Sequence, residues 1–344
     1  MEANKKLLEH PFWEVSNPSQ MRLVRVFELP SYANPFFGEG VVLKVAAGVG
    51  EVPNHKAPMA REGILDGIRK GLIQPDTIVV EGTSGNTGAG MADTCNKLGL
   101  RFKAIVSNDV PSSKLDVIRA LGDDIGFGSP EKGETTVDCA RRLGAQPGWY
   151  NPDQYAGDWN PMAHYKYMAP QLFEQTKVSV FVTPGGTMGT SIGIDRYARN
   201  HKLSTKVVPV MCAEGQEVPA ARTLARVKRD ILFQWEECFP ENEIEFATRY
   251  ASFLLSYLSW RLIPAQLGPS FGLAFVGALK FLRKHRNAGT LDQFRHPDDG
   301  QIHVVVFGAD DYRPYIALYL ALHLYEGKFA RGVPKDMLEV IDLA

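Results

Sequence analysis

At 344 residues, 44% hydrophobic and 22% charged, the chain is too long for one small core and has the composition of a globular protein of one large or two modest domains. A formal net charge of -1 gives no electrostatic case for nucleic acid, no apolar run reaches a membrane span, and the N-terminus MEANKKLLEHPFWEV lacks a signal-peptide core. Cys95, Cys139, Cys212 and Cys238 lie too far apart for a CxxC pair or a disulfide framework, and no zinc-type cluster occurs, which points to reduced thiols, a cytoplasmic setting and no metal.

In chain order, the apolar runs Leu23–Val26 and Val41–Val45 predict two short strands separated by a loop containing Pro and Gly. From Pro58 the apolar positions Met59, Ile64, Ile68 and Leu72 predict an amphipathic helix, with Lys56 on the loop that feeds it. Thr77–Val80 predicts a strand, followed by the turn EGTSGNTGAG (Glu81–Gly90) and a helix over Met91–Leu98. The pattern then repeats, with strands at Phe102–Val106 and Asp124–Phe127 and helices at Ser112–Leu121 and Thr135–Leu143. Ser112 or Ser113 caps the first of these helices and Gly122 closes it. Such alternation implies a parallel sheet with right-handed crossovers and ligands at the carboxyl ends of its strands.

A polar aromatic loop follows from Trp149, turns helical from Pro161 and leads to the buried strand Val178–Val182. That strand ends in a second turn of Gly and Thr, TPGGTMGT (Thr183–Thr190), before a helix at Ser191–Arg199. Lys206–Cys212 is another strand, and residues 216–249 carry no clear element. Ala251–Leu282 reads as helix broken at Leu267–Gly272, and residues 303–307 form a last strand before GADDYRPY and an apolar tail helix.

The chain is organised around Glu81–Gly90. A turn of small polar residues at a helix start presents free backbone N–H groups, where the macrodipole favours an anion. Thr83, Ser84 and Thr87 add hydroxyls and Asn86 an amide, a set suited to a carboxylate or phosphate. Taken alone, the same residues are equally an ordinary capped strand-to-helix turn.

Three features together decide between these readings: a lysine ahead of a helix, an SGNTG turn after it, and a GGT turn after a mid-chain strand. In that order and spacing they resemble the fold-type II pyridoxal-phosphate enzymes, the tryptophan-synthase-β superfamily, over residues 20–320. TSGNTG and DQYAGDWNPMAHYKYMAPQL make the chain most similar to the cysteine synthase and cystathionine β-synthase branch. The resemblance implies an α/β fold of two open, mostly parallel twisted sheets flanked by helices. It also implies a larger cofactor-binding domain, residues 1–46 and 171–344, and a smaller inserted domain, residues 47–170, that closes over the substrate.

By the same resemblance the cofactor is pyridoxal 5′-phosphate, the substrate a small amino acid and the assembly a homodimer. Lys56 matches the lysine that holds the cofactor as an imine and then removes the substrate α-proton. Asn86 matches the asparagine on the ring hydroxyl, and Gly185, Gly186, Thr187, Gly189 and Thr190 match the phosphate turn. Thr83, Ser84, Gly85 and Thr87 match the loop that grips the substrate α-carboxylate, with Gln154 completing the grip. The implied activity is β-replacement on an activated serine- or cysteine-like amino acid through an aminoacrylate. β-Elimination or dehydration to a keto acid and ammonia is the alternative, and a catalytically silent cofactor-binding homologue a third. A dinucleotide-binding protein would need a GxGxxG turn after the first strand, which is absent.

Three departures from the branch's pattern stand out. Asn54-His55-Lys56-Ala57-Pro58 replaces Ser-x-Lys-Asp-Arg, and His55 is read either as a proton shuttle or as a structural histidine. Pro184 replaces a threonine of the phosphate turn, with Thr183 beside it. Asp311 stands where the branch has the serine that meets the pyridine nitrogen; an aspartate there would keep that nitrogen protonated. Asp310 and Asp311 could instead cap the following helix. Trp149, Tyr150, Tyr155, Trp159, Tyr167 and Phe271, if they face the site, would argue against plain sulfide as the second substrate.

Overall fold

The alternation of strand and helix builds two sheets in the computed structural model, which describes residues 2–48, 54–83, 85–107, 110, 112–121, 125–324, 338 and 340. Ten strands lie among the described residues: β1 (Arg25–Glu28), β2 (Val41–Ala47), β3 (Ile78–Gly82), β4 (Arg101–Ile105), β5 (Ile125–Gly128), β6 (Trp149–Tyr150), β7 (Val180–Pro184), β8 (Lys206–Cys212), β9 (Glu245–Ala247) and β10 (Ile302–Gly308). The chain divides into one unit of Met1–Leu23, Gly50–Tyr167 and Asp230–Phe233, and a second of Val24–Val49, Met168–Arg229 and Gln234–Ala344. Each unit carries one sheet and its own apolar core.

In the first unit the strand order is β5-β4-β3-β6, all parallel, with Ile78 opposite Arg101 and Gly82 opposite Ile105. The helices Ala57–Arg69 and Asn86–Lys97 bury Met59, Ile64, Ile68, Met91 and Cys95 in a core with Val79 and Phe102. Trp149–Tyr150, read from the sequence as loop, pairs with Ile78 and Val79 as an edge strand; two residues are too few to show a strand period. The N-terminus, which carries no strong pattern, forms helices Glu2–Leu8 and Phe12–Val15. Leu7 and Phe12 enter the core, and the Arg61 guanidinium lies 5.1 Å from the Trp13 ring centroid.

The second unit has the order β1-β2-β10-β7-β8-β9, parallel except for the antiparallel edge strand β1. β10 is buried at every position, as a central parallel strand covered on both faces must be. Pro209 is tolerated inside β8 because β9 pairs only with Val210, Met211 and Cys212, beyond the proline. The helix Pro269–Asn287 packs Leu273, Phe275 and Leu279 into this core. Residues 216–249 resolve into the helices Leu224–Asp230 and Trp235–Cys238 and the strand β9, each too short to leave a periodic signal.

Candidate active site

Lys56 is the last residue before the Ala57–Arg69 helix. Its backbone N–H donates to Asn54 Oδ1 at 2.8 Å, and Asn54 Nδ2 donates to the Asn86 carbonyl at 2.9 Å. One asparagine side chain therefore ties the lysine to the start of the Asn86–Lys97 helix. Gly90 allows the close approach of these helices: a Cβ there would stand 3.1 Å from Ala57 Cα and 3.2 Å from the Lys56 carbonyl oxygen. Burial pushes the Lys56 amine down to about 8, so roughly a tenth of it is neutral and nucleophilic at pH 7.

His55 and His164 are both buried, with stacked rings 6.3 Å apart between centroids. His164 opens a π-helical turn, His164–Met168, of the kind that interrupts helices at functional sites. Burial first, then Lys56 and His55, hold its imidazole well below the usual histidine range. The sequence signal for His164 was its place in the Asn-Pro/His-Tyr string; nothing local tied it to Lys56.

The Asn86–Lys97 helix starts five residues ahead of the predicted Met91, so Asn86 and Thr87 form its first turn. Thr83 Oγ1 accepts from the Gly88 N–H at 2.8 Å, and the Gly85 carbonyl accepts from the Ala89 N–H at 3.0 Å. The Thr87 hydroxyl donates to Gln154 Oε1 at 2.7 Å, and Gln154 Nε2 donates to the Gly82 carbonyl at 2.9 Å. The fold thus pairs Thr87 with Gln154 and ties Thr83 to Gly88 of the same turn. Ser84 lies outside the described residues. Glu81, given no role from the sequence, is buried beside Gln154.

In the second unit β7 ends at Pro184, and the helix Gly189–Asn200 begins two residues before the predicted Ser191. Gly185 donates to the Val210 carbonyl at 2.7 Å and accepts from the Arg222 N–H at 2.9 Å. A Cβ on Gly186 would stand 2.8 Å from the Ala220 carbonyl oxygen, so only glycine fits there. Thr187 and Thr190 are buried, and the residue at the cap position, Met188, makes no side-chain hydrogen bond to the helix start. The hydroxyls of Thr183 and Ser191, which bracket this turn in the sequence, are buried without a hydrogen-bond partner among the described residues. Such orphaned donors are rare, and beside an uncapped helix start they fit an anionic group such as a phosphate.

Asp311 caps a turn. Its carboxylate accepts from the Arg313 backbone N–H and Nε at 2.8 Å and from Nη2 at 2.9 Å, while the side chain stays 35% exposed. Asp310 is the enclosed member of the pair: it accepts from the Ser270 hydroxyl and from Tyr315. Burial and the Asp310 charge push the Tyr315 phenol well above its usual range.

Several of the aromatics counted in the sequence are used in packing. Phe271 is fully enclosed in the core of the second unit. Trp159 lies against Gly63 and donates to the Pro152 carbonyl at 3.1 Å, and the Tyr167 hydroxyl donates to Glu62 at 2.6 Å. These three supply no argument about the size of a second substrate.

The profile of a family described as "Pyridoxal-phosphate dependent enzyme" matches residues 51–233. The chain is 29% identical to cysteine synthase B of Escherichia coli (strain K12) over 162 residues, which make up 46% of this chain and 54% of that protein. It is 35% identical to cystathionine beta-synthase of Rattus norvegicus over 157 residues, 43% of this chain and 28% of that one. The chain therefore spans about half the length of the cysteine synthases it matches, and less of the cystathionine synthase. A crystal structure of an O-ureido-L-serine synthase superposes with a TM-score of 0.70 at 20% identity, covering 88% of this chain and 94% of that one; the likeness is one of fold.

Proposed function

The chain belongs to the pyridoxal-phosphate dependent enzymes, with pyridoxal phosphate as its cofactor, and on that footing we propose that it catalyses β-replacement on an activated serine- or cysteine-like amino acid. The cofactor, when bound, supplies an electron-withdrawing ring that stabilises negative charge at the α-carbon of the attached amino acid. The observation that carries the proposal is the setting of Lys56: a partly buried amine lowered to about 8 by desolvation, its backbone held through Asn54 against the first turn of the Asn86–Lys97 helix. Lys56 Nζ is the proposed point of covalent attachment and, once displaced by substrate, the base that takes the α-proton.

Asn86 is the proposed partner of the ring hydroxyl. Gly185, Gly186, Thr187, Gly189 and Thr190 would take the phosphate, a role supported by the uncapped helix and the orphaned hydroxyls of Thr183 and Ser191. Thr83, Ser84, Gly85, Thr87 and Gln154 would hold the α-carboxylate. For the ring nitrogen the family pattern favours Asp311, whereas burial favours Asp310. A cytoplasmic homodimer completes the reading; four cysteines outside any disulfide support the reducing compartment.

The similarity to enzymes named cysteine synthase B and cystathionine beta-synthase supports replacement at a serine-derived carbon. The Gln154 segment favours replacement over elimination. The test is the absorbance spectrum of the purified protein with O-acetylserine, O-phosphoserine, serine, cysteine and threonine in turn. A lysine-bound cofactor band that one of these converts, and that Lys56→Ala lacks, is expected. A band that no amino acid perturbs would overturn the activity, and one retained in Lys56→Ala would overturn the attachment point.

A further inference from the structure

Glu81 is the only charged residue of β3 and is 1% exposed. Both of its carboxylate oxygens face Gln154: Oε2 accepts from the backbone N–H at 3.3 Å and Oε1 from the side-chain Nε2 at 3.4 Å. The Gly82 carbonyl takes the same Nε2 at 2.9 Å. Two acceptors on one side leave the Gln154 amide a single favourable orientation, nitrogen toward β3 and oxygen toward Thr87. That oxygen then takes the Thr87 hydroxyl proton. In this state Thr87 Oγ1 offers a ligand only lone pairs, and Gln154 has committed its N–H groups elsewhere. Neither side chain is set to donate to a carboxylate.

We propose that Glu81 is a positioning residue that sets the hydrogen-bond polarity of the Thr87–Gln154 pair, and so decides whether that pair donates to a substrate α-carboxylate. This rests on assigning Thr87 and Gln154 to that carboxylate. Ionised, Glu81 locks the amide inward. Protonated, it loses one acceptor and gains a donor for an inward-facing amide oxygen; with only the Gly82 carbonyl left to hold the nitrogen, the amide can turn it toward Thr87 and free the threonine hydroxyl to donate outward. Burial, reinforced by the negative Asp153, pushes the Glu81 carboxyl up to about 8, so both forms are populated near neutral pH. The other groups around it are Tyr150, which stays protonated because burial pushes its phenol up to about 12, and Arg141, which is spent on Asp153 at 2.7 Å. Substrate should therefore bind more tightly as pH falls through this range.

The test compares the cofactor-loaded wild type with Glu81→Gln, which keeps the shape but supplies both a donor and an acceptor, so that only the Gly82 carbonyl still favours one orientation of the amide. At pH 8.5, where about a quarter of the wild-type carboxyl is still protonated, the variant should reach half-saturation with O-acetylserine at a roughly threefold lower concentration, the part of a roughly tenfold hydrogen-bond difference that this population exposes. The gap should close by pH 6.5. Equal half-saturation at both pH values overturns the proposal. A second readout needs no substrate: in glutamine-labelled holoenzyme the Gln154 side-chain amide signal, assigned through its loss in Gln154→Glu, should move with pH in the wild type and stay fixed in Glu81→Gln. A signal that behaves alike in both overturns the lock even if no amino acid binds, whereas a wild type that responds to no amino acid while showing the lock would instead sink the proposed activity.

Discussion

Lys56→Met in the apoenzyme should make the protein more stable, although it removes the residue on which the proposed activity depends. Methionine is unbranched, apolar and one atom shorter than lysine, so the substitution chiefly reports the cost of desolvating the charge. An amine that titrates at 10.5 in an unfolded chain and at about 8 in the fold costs the folded state about 3 kcal/mol whenever it is protonated. Below pH 8 the amine is protonated in both states, and the fold bears the full cost. Between pH 8 and 10.5 the unfolded chain still holds the proton that the folded chain has released, so wild-type stability rises with pH; above 10.5 it levels off. Urea unfolding at pH 7 should therefore show Lys56→Met ahead by up to about 3 kcal/mol, with the advantage falling to roughly half that by pH 9.5. A variant that is less stable at pH 7, or a gap that does not change with pH, would show that desolvation does not depress the amine.

Two further substitutions separate structural from ligand roles. Thr183→Val removes a buried, unpartnered hydroxyl and should stabilise the apoenzyme by about 1 kcal/mol in urea unfolding. If that hydroxyl serves the phosphate, the same variant should bind pyridoxal phosphate several-fold more weakly in a fluorescence titration, and unchanged affinity would sink the idea. Asp311→Ser breaks a largely exposed clamp on Arg313 and should cost under about 1 kcal/mol, whereas Asp310→Asn disturbs the buried contacts with Ser270 and Tyr315 and should cost about 1–3 kcal/mol. Whichever aspartate meets the ring nitrogen should shift the bound cofactor's absorbance when replaced; an unmoved spectrum in both variants would remove a carboxylate from that position.

Long parallel strands were legible because unbroken apolar runs mark them: Val178–Val182, Lys206–Cys212 and residues 303–307 each read as strands and lie at β7, β8 and β10. Elements held by tertiary contacts left no such signal. β6 exists only because Ile78 and Val79 offer it an edge, and the N-terminal helices are fixed by burying Leu7 and Phe12. The pairing of Thr87 with Gln154 was implied by family resemblance, since residues 67 apart in sequence share no local pattern. Glu81 and His164 were in plain view within the motif strings. Their significance depends on which neighbour shares their burial, and a string does not show that.

The departure around Lys56 has a physical account. Where the branch has Ser-x-Lys-Asp-Arg, Asn54 closes a turn onto the Lys56 N–H two residues on, a geometry that asparagine side chains favour. Its amide nitrogen remains for the Asn86 carbonyl, so a single side chain sets both the start of one helix and its tie to the next. Pro58 falls in the first helical turn, where its missing N–H costs nothing and its fixed φ suits the helix. Ala57 and Pro58 are both buried, a place where an Asp-Arg pair would need partners of its own. The replaced pair is thus offset by backbone geometry and apolar burial, and the lysine is presented from a rigid helix start. The contrast with Asp310 and Asp311 is instructive. There the new carboxylate, Asp311, acquires a partner, Arg313, that a serine would not engage in the same way. A change absorbed by packing leaves the reacting group as it was, whereas a change that adds a charge, here balanced by Arg313, alters the local electrostatics, so position 311 is the place to look for chemistry particular to this chain.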